Sequence, residues 1–205
     1  AQEVTLEDLT RIHDPGYVVA LRGLAEAGGG WPDSDTYANS RSFAVALRAV
    51  GGVVAATKAV LDGEVESVYA LVRPPGHHAT RSGAEGFCLL NNVAVAAAWA
   101  LATARVTRVA IVDIDVHHGN GTQEAFQDDH RVLFISTHQY GGGFYPGSGH
   151  WREKGPAGNC LNIPLPQHTG DAGYAQAFEK IIEPALRRFQ PELLLVSAGY
   201  DGHWA

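Results

Sequence analysis

Three stretches of the chain hold residue types that can do chemistry. The densest is Asp113-Ile114-Asp115-Val116-His117-His118-Gly119-Asn120-Gly121. It follows residues 108–112, a β-branched apolar run that reads as a buried strand. On an extended strand, side chains at i, i+2 and i+4 share a face, which puts Asp113, Asp115 and His117 on one side and Val112, Ile114 and Val116 on the other. Two carboxylates and an imidazole on a buried face are costly to desolvate. The usual compensation is a metal ion or a dense hydrogen-bond network. The glycines at 119 and 121 then turn the chain, as a strand exit requires.

The second stretch is Arg73-Pro74-Pro75-Gly76-His77-His78-Ala79, and the third is Ser197-Ala198-Gly199-Tyr200-Asp201. Asp115, His117 and Asp201 together offer one nitrogen and two carboxylates. Three protein ligands with a position left for water is the pattern of catalytic zinc, and the same donors suit Fe(II) or Mn(II). The plainer alternative is an Asp-x-His that caps a helix or pairs with arginine. The His77-His78 pair could be ordinary loop surface, but a proline-braced loop is a good place for preorganised acid/base groups. Asp113 and Asn120 would then orient the histidines. Phe87, Phe144 and Tyr145 are aromatics in glycine-rich loops, which beside a polar site more often line a pocket than fill a core. Cys88 reads as small buried packing.

These residues need elements to hold them. A helix is expected over 5–13 with Thr5 as N-cap and Asp8 closing a capping box, and another over 15–27 with Pro15 at its first position, ended by Gly28-Gly29-Gly30. Residues 31–40 read as loop. A long alanine- and valine-rich helix capped by Ser40 or Ser42 should run to about 61, apolar nearly all round and so well buried. Residues 67–72 read as a strand, and Asn91 or Asn92 opens an apolar helix to about 104. Strands follow at 108–113, 131–136 and 192–197, with a short helix near 122–126 and a longer one from 172 to 189 capped by Asp171. Residues 139–158 form a long glycine-rich loop, a length that is usually functional. Strands alternating with helices indicate a parallel α/β sheet covered on both faces. Ligands bind such sheets at the carboxyl ends of the strands, where His77-His78, Asp115/His117, the glycine-rich loop and Asp201 are all expected.

Composition narrows the field. The 205 residues are 45% apolar and 18% charged, enough for one sizeable globular domain. A net charge of −7 argues against a direct nucleic-acid partner. The two cysteines, Cys88 and Cys160, are no disulfide framework and fit a reducing, cytoplasmic compartment. No apolar run is expected to span a membrane. The chain has no methionine, opens at Ala1-Gln2-Glu3 in front of a helix, and stops just after a strand. It is therefore expected to be a piece of a longer protein, a single domain over 1–205 incomplete at both ends.

The motifs at 73–79, 86–88, 113–121, 144–147 and 197–201 resemble, in order, those of the zinc-dependent histone deacetylase family. The nearest branch is the class II-like bacterial members, related to acetylpolyamine amidohydrolases and acetoin-utilisation proteins. The resemblance implies a three-layer arginase/deacetylase-type α/β fold with a central, mainly parallel sheet flanked by helices. It implies removal of an acetyl group from acetyl-lysine or a small acetylated amine. Asp115, His117 and Asp201 would be the zinc ligands, with Fe2+ as another occupant. His78 would be the general base, and His77, paired with Asp113, its electrostatic or acid partner. Asn120 stands where some relatives have Asp and should leave His78 less cationic. Phe87 and Tyr145 would flank the substrate tunnel. A structural potassium would involve Asp113, Asp115, His117, Ser136 and Thr137, and a second, weaker one the carbonyls of Phe126, Asp129 and Val132.

Family members carry an oxyanion-donating tyrosine well beyond the last ligand, whereas this chain ends four residues after Asp201. Such a donor is worth roughly 10²–10³ in rate, so the 205-residue chain is expected to be weakly active or inactive. An exposed sheet edge would also favour a homo-oligomer. Competing readings are a two-manganese ureohydrolase-like enzyme, in which His77-His78 have no role, and a truncated, non-catalytic metal-binding domain. A dinucleotide-binding domain is disfavoured, because no GxGxxG follows a strand.

Overall fold

The computed structural model describes residues 4–203. They form two compact units, 4–105 and 106–203. In the first, the Thr5–Asp8 capping box opens α1 (Leu6–Thr10), with the Asp8 N–H donating to Thr5 Oγ1 at 3.1 Å and the Thr5 N–H donating to Asp8 Oδ2 at 3.0 Å. Asp14 caps α2 (Pro15–Glu26), accepting from the Gly16 N–H at 2.7 Å.

The triple glycine does more than end α2. Gly29–Gly30 is a short strand, β1, paired antiparallel with β2 (Ala38–Asn39), inside the stretch read as helix stop and loop. Gly29 lies at φ +105°, and a side chain there would collide with the Ala38 carbonyl. The glycine supplies both the positive φ and the close approach of backbones.

Helix α3 (Ser42–Leu61) starts one residue after Arg41, with no side-chain cap. Ser42 is its first helical residue and not its cap. Its burial is one-sided: Ala46, Ala49, Val50, Gly51, Val54 and Thr57 are buried at helical spacing, mainly against α4 (Asn92–Ala102). The expectation of all-round burial fails because the packed neighbour covers one stripe only. The expectation that no stretch could cross a membrane also needs correction. By length and composition α3 passes that test, although a core helix passes it too.

Residues 67–72 are not a strand. They join no ladder among the described residues, and Val68, Tyr69 and Leu71 are exposed. An apolar β-branched pattern suits a strand, but a strand exists only where a neighbour supplies hydrogen bonds.

In the second unit, β3 (Val109–Asp113), β4 (Val132–Gln139), β5 (Cys160–Leu165) and β6 (Leu193–Ser197) form a parallel sheet in the order β5-β4-β3-β6. Strand β4 runs three residues past the expected end. Strand β5 lies at the sheet edge, where Pro164, which has no N–H to give, is tolerated. Helix α5 (Asn120–Phe126) joins β3 to β4. The expected helix over 172–189 is broken into α6 (Asp171–Ala177), a wide turn at Phe178–Ile182, and α7 (Glu183–Phe189). Pro184 explains the break, because it cannot donate to the carbonyl one turn earlier.

These helices bury Ala177 and Ile182 against Ala110, Val112, Leu133 and Ile135 of the sheet, with Leu186 and Phe189 packed alongside. Ile135 is fully buried, so truncating it to alanine should cost roughly 2–5 kcal/mol. That core holds β3 and β6 side by side. Asp113 and Ser197 are register partners, so both strands end at the same level. The segments leaving them start from neighbouring points.

Candidate metal centre

Asp115 and His117 follow the end of β3, and Asp201 lies four residues beyond the end of β6. One ligand atom from each falls within 4.8 Å of the others. His117 Nδ1 is 3.0 Å from Asp115 Oδ1 and 3.0 Å from Asp201 Oδ2. Strand alternation does not bring them together, since β3 stops at Asp113 and the next residues bend. Backbone donors set the geometry instead. The Asp115 N–H donates to Asp113 Oδ1 (3.1 Å), the His117 N–H to Asp115 Oδ1 (2.8 Å) and the Val116 N–H to Asp201 Oδ1 (3.2 Å).

Two glycines make this possible: Gly119, read from the sequence only as a turn, and Gly199, to which no role was given. A methyl on Gly199 would overlap the Asp115 carboxylate, and one on Gly119 would overlap that of Asp113. Both strand exits are therefore packed backbone against carboxylate. A glycine two residues before a candidate ligand was the available signal.

The electrostatics describe a site that seeks a cation. Hydrogen bonds to Asp115 first, and then to Asp201, push His117 up to about 9 against the lowering effect of burial. Burial tends to raise Asp201, but the His117 contact and the Val116 N–H outweigh it and bring the carboxyl to about 2. Two carboxylates thus hold a proton on the imidazole at neutral pH. One nitrogen and two anionic oxygens, mutually within ligand reach, fit a divalent transition metal that takes the place of that proton.

Aromatic rings frame the cluster. Phe144 stacks on His117 with centroids 4.9 Å apart and planes 8° from parallel, and Tyr145 meets the same ring edge-on at 6.1 Å. The loop that carries them is pinned by buried polar groups. His118 Nδ1 is 2.9 Å from Ser148 Oγ, His138 Nε2 donates to the Gly149 carbonyl at 2.8 Å, and Glu153 accepts from the N–H groups of Gly149 and His150. His118 and His138, which sequence reasoning left without a role, fasten the loop to the strand ends. Asn120, expected as an orienter, begins α5, its N–H donating to the His118 carbonyl at 2.9 Å.

In the first unit, His77 and His78 are both buried, with ring centroids 4.0 Å apart. Asn91 caps α4 and donates to the Ala79 carbonyl, while Asn92 donates to that of Pro74. Gly76 has no room for a side chain against Asn92. His13 completes the brace, its Nδ1–H donating to the Thr80 carbonyl and its Nε2 accepting from the Asn91 N–H, both at 2.9 Å. Desolvation pushes His13 down to about 4, so it stays neutral and keeps both roles. Phe87 is exposed at φ +65°, its N–H held by Thr36 Oγ1, and lines a cavity of about 340 Å³ with Tyr37, Arg41, Val45 and Leu89. Cys88 is fully buried, as expected of packing.

Comparison with known proteins decides the family. The histone deacetylase domain matches residues 1–205. The chain belongs to the histone deacetylase family. It is 45% identical over 205 residues to a probable deacetylase of Archaeoglobus fulgidus, covering 98% of this chain and 56% of that one. It is 42% identical over 200 residues to a histone deacetylase-like amidohydrolase of Pseudomonas aeruginosa, covering 96% of this chain and 52% of that one. The crystal structure of the HDA15 HD domain superposes with a TM-score of 0.96 at 41% identity, covering all of this chain and 60% of that one. The three-layer arginase/deacetylase α/β fold, with its central parallel sheet flanked by helices, is thus the fold of this chain. The chain spans about half the length of the curated relatives it matches.

The resemblance to the histone deacetylase family implies two potassium positions. At the first, Thr137 Oγ1 donates to the Asp113 carbonyl at 3.3 Å and Ser136 Oγ faces His138 Nδ1 at 2.9 Å. At the second, the carbonyls of Phe126, Asp129 and Val132 all accept from one atom, Asn159 Nδ2.

Proposed function

We propose that this chain carries the metal site of a zinc-dependent amidohydrolase that removes an acetyl group from acetyl-lysine or a small acetylated amine. The observation that supports it most is the Asp115–His117–Asp201 cluster, with ligand atoms within 4.8 Å and Phe144 stacked on His117. Asp115, His117 through Nδ1, and Asp201 would hold the metal, with zinc preferred and Fe2+ an alternative. When bound, the metal supplies Lewis acidity and lowers the pKa of water. The chain's own residues would move the protons, while the oxyanion donor implied by the resemblance lies outside residues 1–205. His78 takes a proton from water as its oxygen bonds to the acyl carbon, then returns a proton to the leaving nitrogen as the C–N bond breaks. His77, with Asp113, stabilises the transient charge, and Asn120 limits it. The products are acetate and a free amine. Phe144 and Tyr145 exclude water beside His117, and Phe87 and Tyr145 are assigned to the walls that take the aliphatic stem. A structural potassium is assigned to Asp113, Asp115, His117, Ser136 and Thr137.

Metal analysis of the chain and of Asp201→Asn, with turnover of an acetylated peptide by the whole protein and its His78→Ala variant, tests this reading. Expected are one zinc per chain, loss of zinc in Asp201→Asn, and turnover that collapses in His78→Ala with zinc retained. Two manganese ions per chain, or unchanged turnover in His78→Ala, would overturn it.

A further inference from the structure

Two successive three-residue turns follow α5. The Asp129 N–H donates to the Phe126 carbonyl and the Val132 N–H to the Asp129 carbonyl. This spiral aims the carbonyls of residues 126, 129 and 132 at one point at the C-terminal, electronegative end of the helix. Converging carbonyl oxygens repel one another and need a positive group between them. The resemblance to the family implies a potassium ion at this point.

Here the point is taken by a side chain. Asn159 Nδ2 lies 2.7, 3.0 and 2.7 Å from the three oxygens. Asn159 is buried between Gly158 and the start of β5, and its own carbonyl accepts from the Phe134 N–H. The amide orientation follows from chemistry, because three carbonyls can only accept and Oδ1 among them would be repelled. The fit is also imperfect. An NH2 group has two protons for three acceptors, and Oδ1 is buried with no hydrogen-bond partner among the described residues. Such an arrangement is what a neutral donor standing in for an ion would leave behind.

We infer that the Asn159 carboxamide replaces the cation at this cradle, so that the turn after α5 is closed by a side chain and not by potassium. The potassium expected there does not fit, since its place at the centre of the three carbonyls holds a nitrogen. The inference concerns residues 126–132 and 159 alone and does not depend on the catalytic reading. Removing the side chain should turn the plug into a site. Asn159→Ala leaves three inward carbonyls around a hollow with no internal donor, and Asn159→Asp adds an anion that cannot donate to them.

The test uses the whole chain. Crystals of wild type and variants are soaked in rubidium, and anomalous differences are read at the cradle. In parallel, thermal melts compare KCl with choline chloride at equal ionic strength. Expected are no rubidium peak at the wild-type cradle, a peak there in Asn159→Ala, and a potassium-dependent rise in Tm larger in both variants than in wild type. A rubidium peak at the wild-type cradle would overturn the inference without recourse to any variant. So would variants that fold and show neither a peak nor an added potassium response. If Asn159→Ala does not fold, Asn159→Asp carries the comparison, with potassium-dependent recovery of its fold as the supporting result and potassium-independent stability as the overturning one.

Discussion

Proton and metal compete for one nitrogen in this chain, and the competition has a predictable slope. His117 Nδ1 holds a proton with a pKa of about 9 because Asp115 and Asp201 both reach it at 3.0 Å. A metal ligand must be deprotonated. At pH 7 the protonated form should exceed the neutral one by up to about two decades, so the metal affinity should fall short of its limiting value by up to about 100-fold. The His117 side chain is 29% exposed, and solvent screening trims that figure toward one decade. The slope follows from the single exchanged proton: log Kd should fall by about one unit per pH unit from about pH 6 to pH 8. Zinc titrations by calorimetry across that range, in buffers of differing ionisation heat, read both the slope and the proton released. Close to one proton per zinc is expected near pH 7, and Asp201→Asn, with one acceptor fewer, should bind more weakly with a shallower slope. A Kd that does not change over this range, with no proton release, would refute the claim that the two carboxylates hold a proton on His117.

Three further outcomes follow from other contacts. Gly199→Ala should abolish zinc binding while leaving the far-UV CD spectrum intact, because its methyl group would displace the Asp115 carboxylate; wild-type zinc content in that variant would contradict it. His13 is neutral in the fold down to about pH 4 but protonates near 6.5 when unfolded, so its contribution is complete above 6.5 and lost as the pH falls toward 4. That loss is worth about 3 kcal/mol, and urea unfolding against pH should show it in wild type and lose that component in His13→Phe. Ser148→Ala removes the hydroxyl facing His118, and should loosen the loop under Phe144 at a cost of about 1 kcal/mol, seen as faster hydrogen exchange over residues 140–150.

Local chemistry was the legible part. The Thr5–Asp8 capping box, the Asn91 cap and the strand before Asp113 depend on neighbours a few residues away, and the structure has them where local rules put them. Residues 67–72 carry the same kind of apolar pattern and form no strand, because a ladder needs a partner that the pattern cannot name. The π-turn at Phe178–Ile182 was readable in principle from Pro184, but the apolar periodicity on either side masked it.

The metal ligands divide in the same way. Residue type alone marked Asp115, His117 and Asp201 as donors, since an Asp-x-His after a buried strand and an aspartate after another are chemically suited to one ion. Their meeting depends on β3 and β6 being register partners, on Gly199 leaving room for Asp115, and on the Val116 N–H holding Asp201. Sequence separation hides such contacts: Asp115 and Asp201 are 86 positions apart, and no periodicity spans that distance. The roles of His118, His138 and Asn159 were illegible for a related reason. A buried polar side chain takes its meaning from the acceptors around it, and for Asn159 those acceptors are backbone carbonyls that every residue possesses. Residue types state which groups this protein has for binding a metal and moving a proton. Which of them touch is a property of the folded chain, because desolvation, packing against glycine and strand register act through space and not along the backbone.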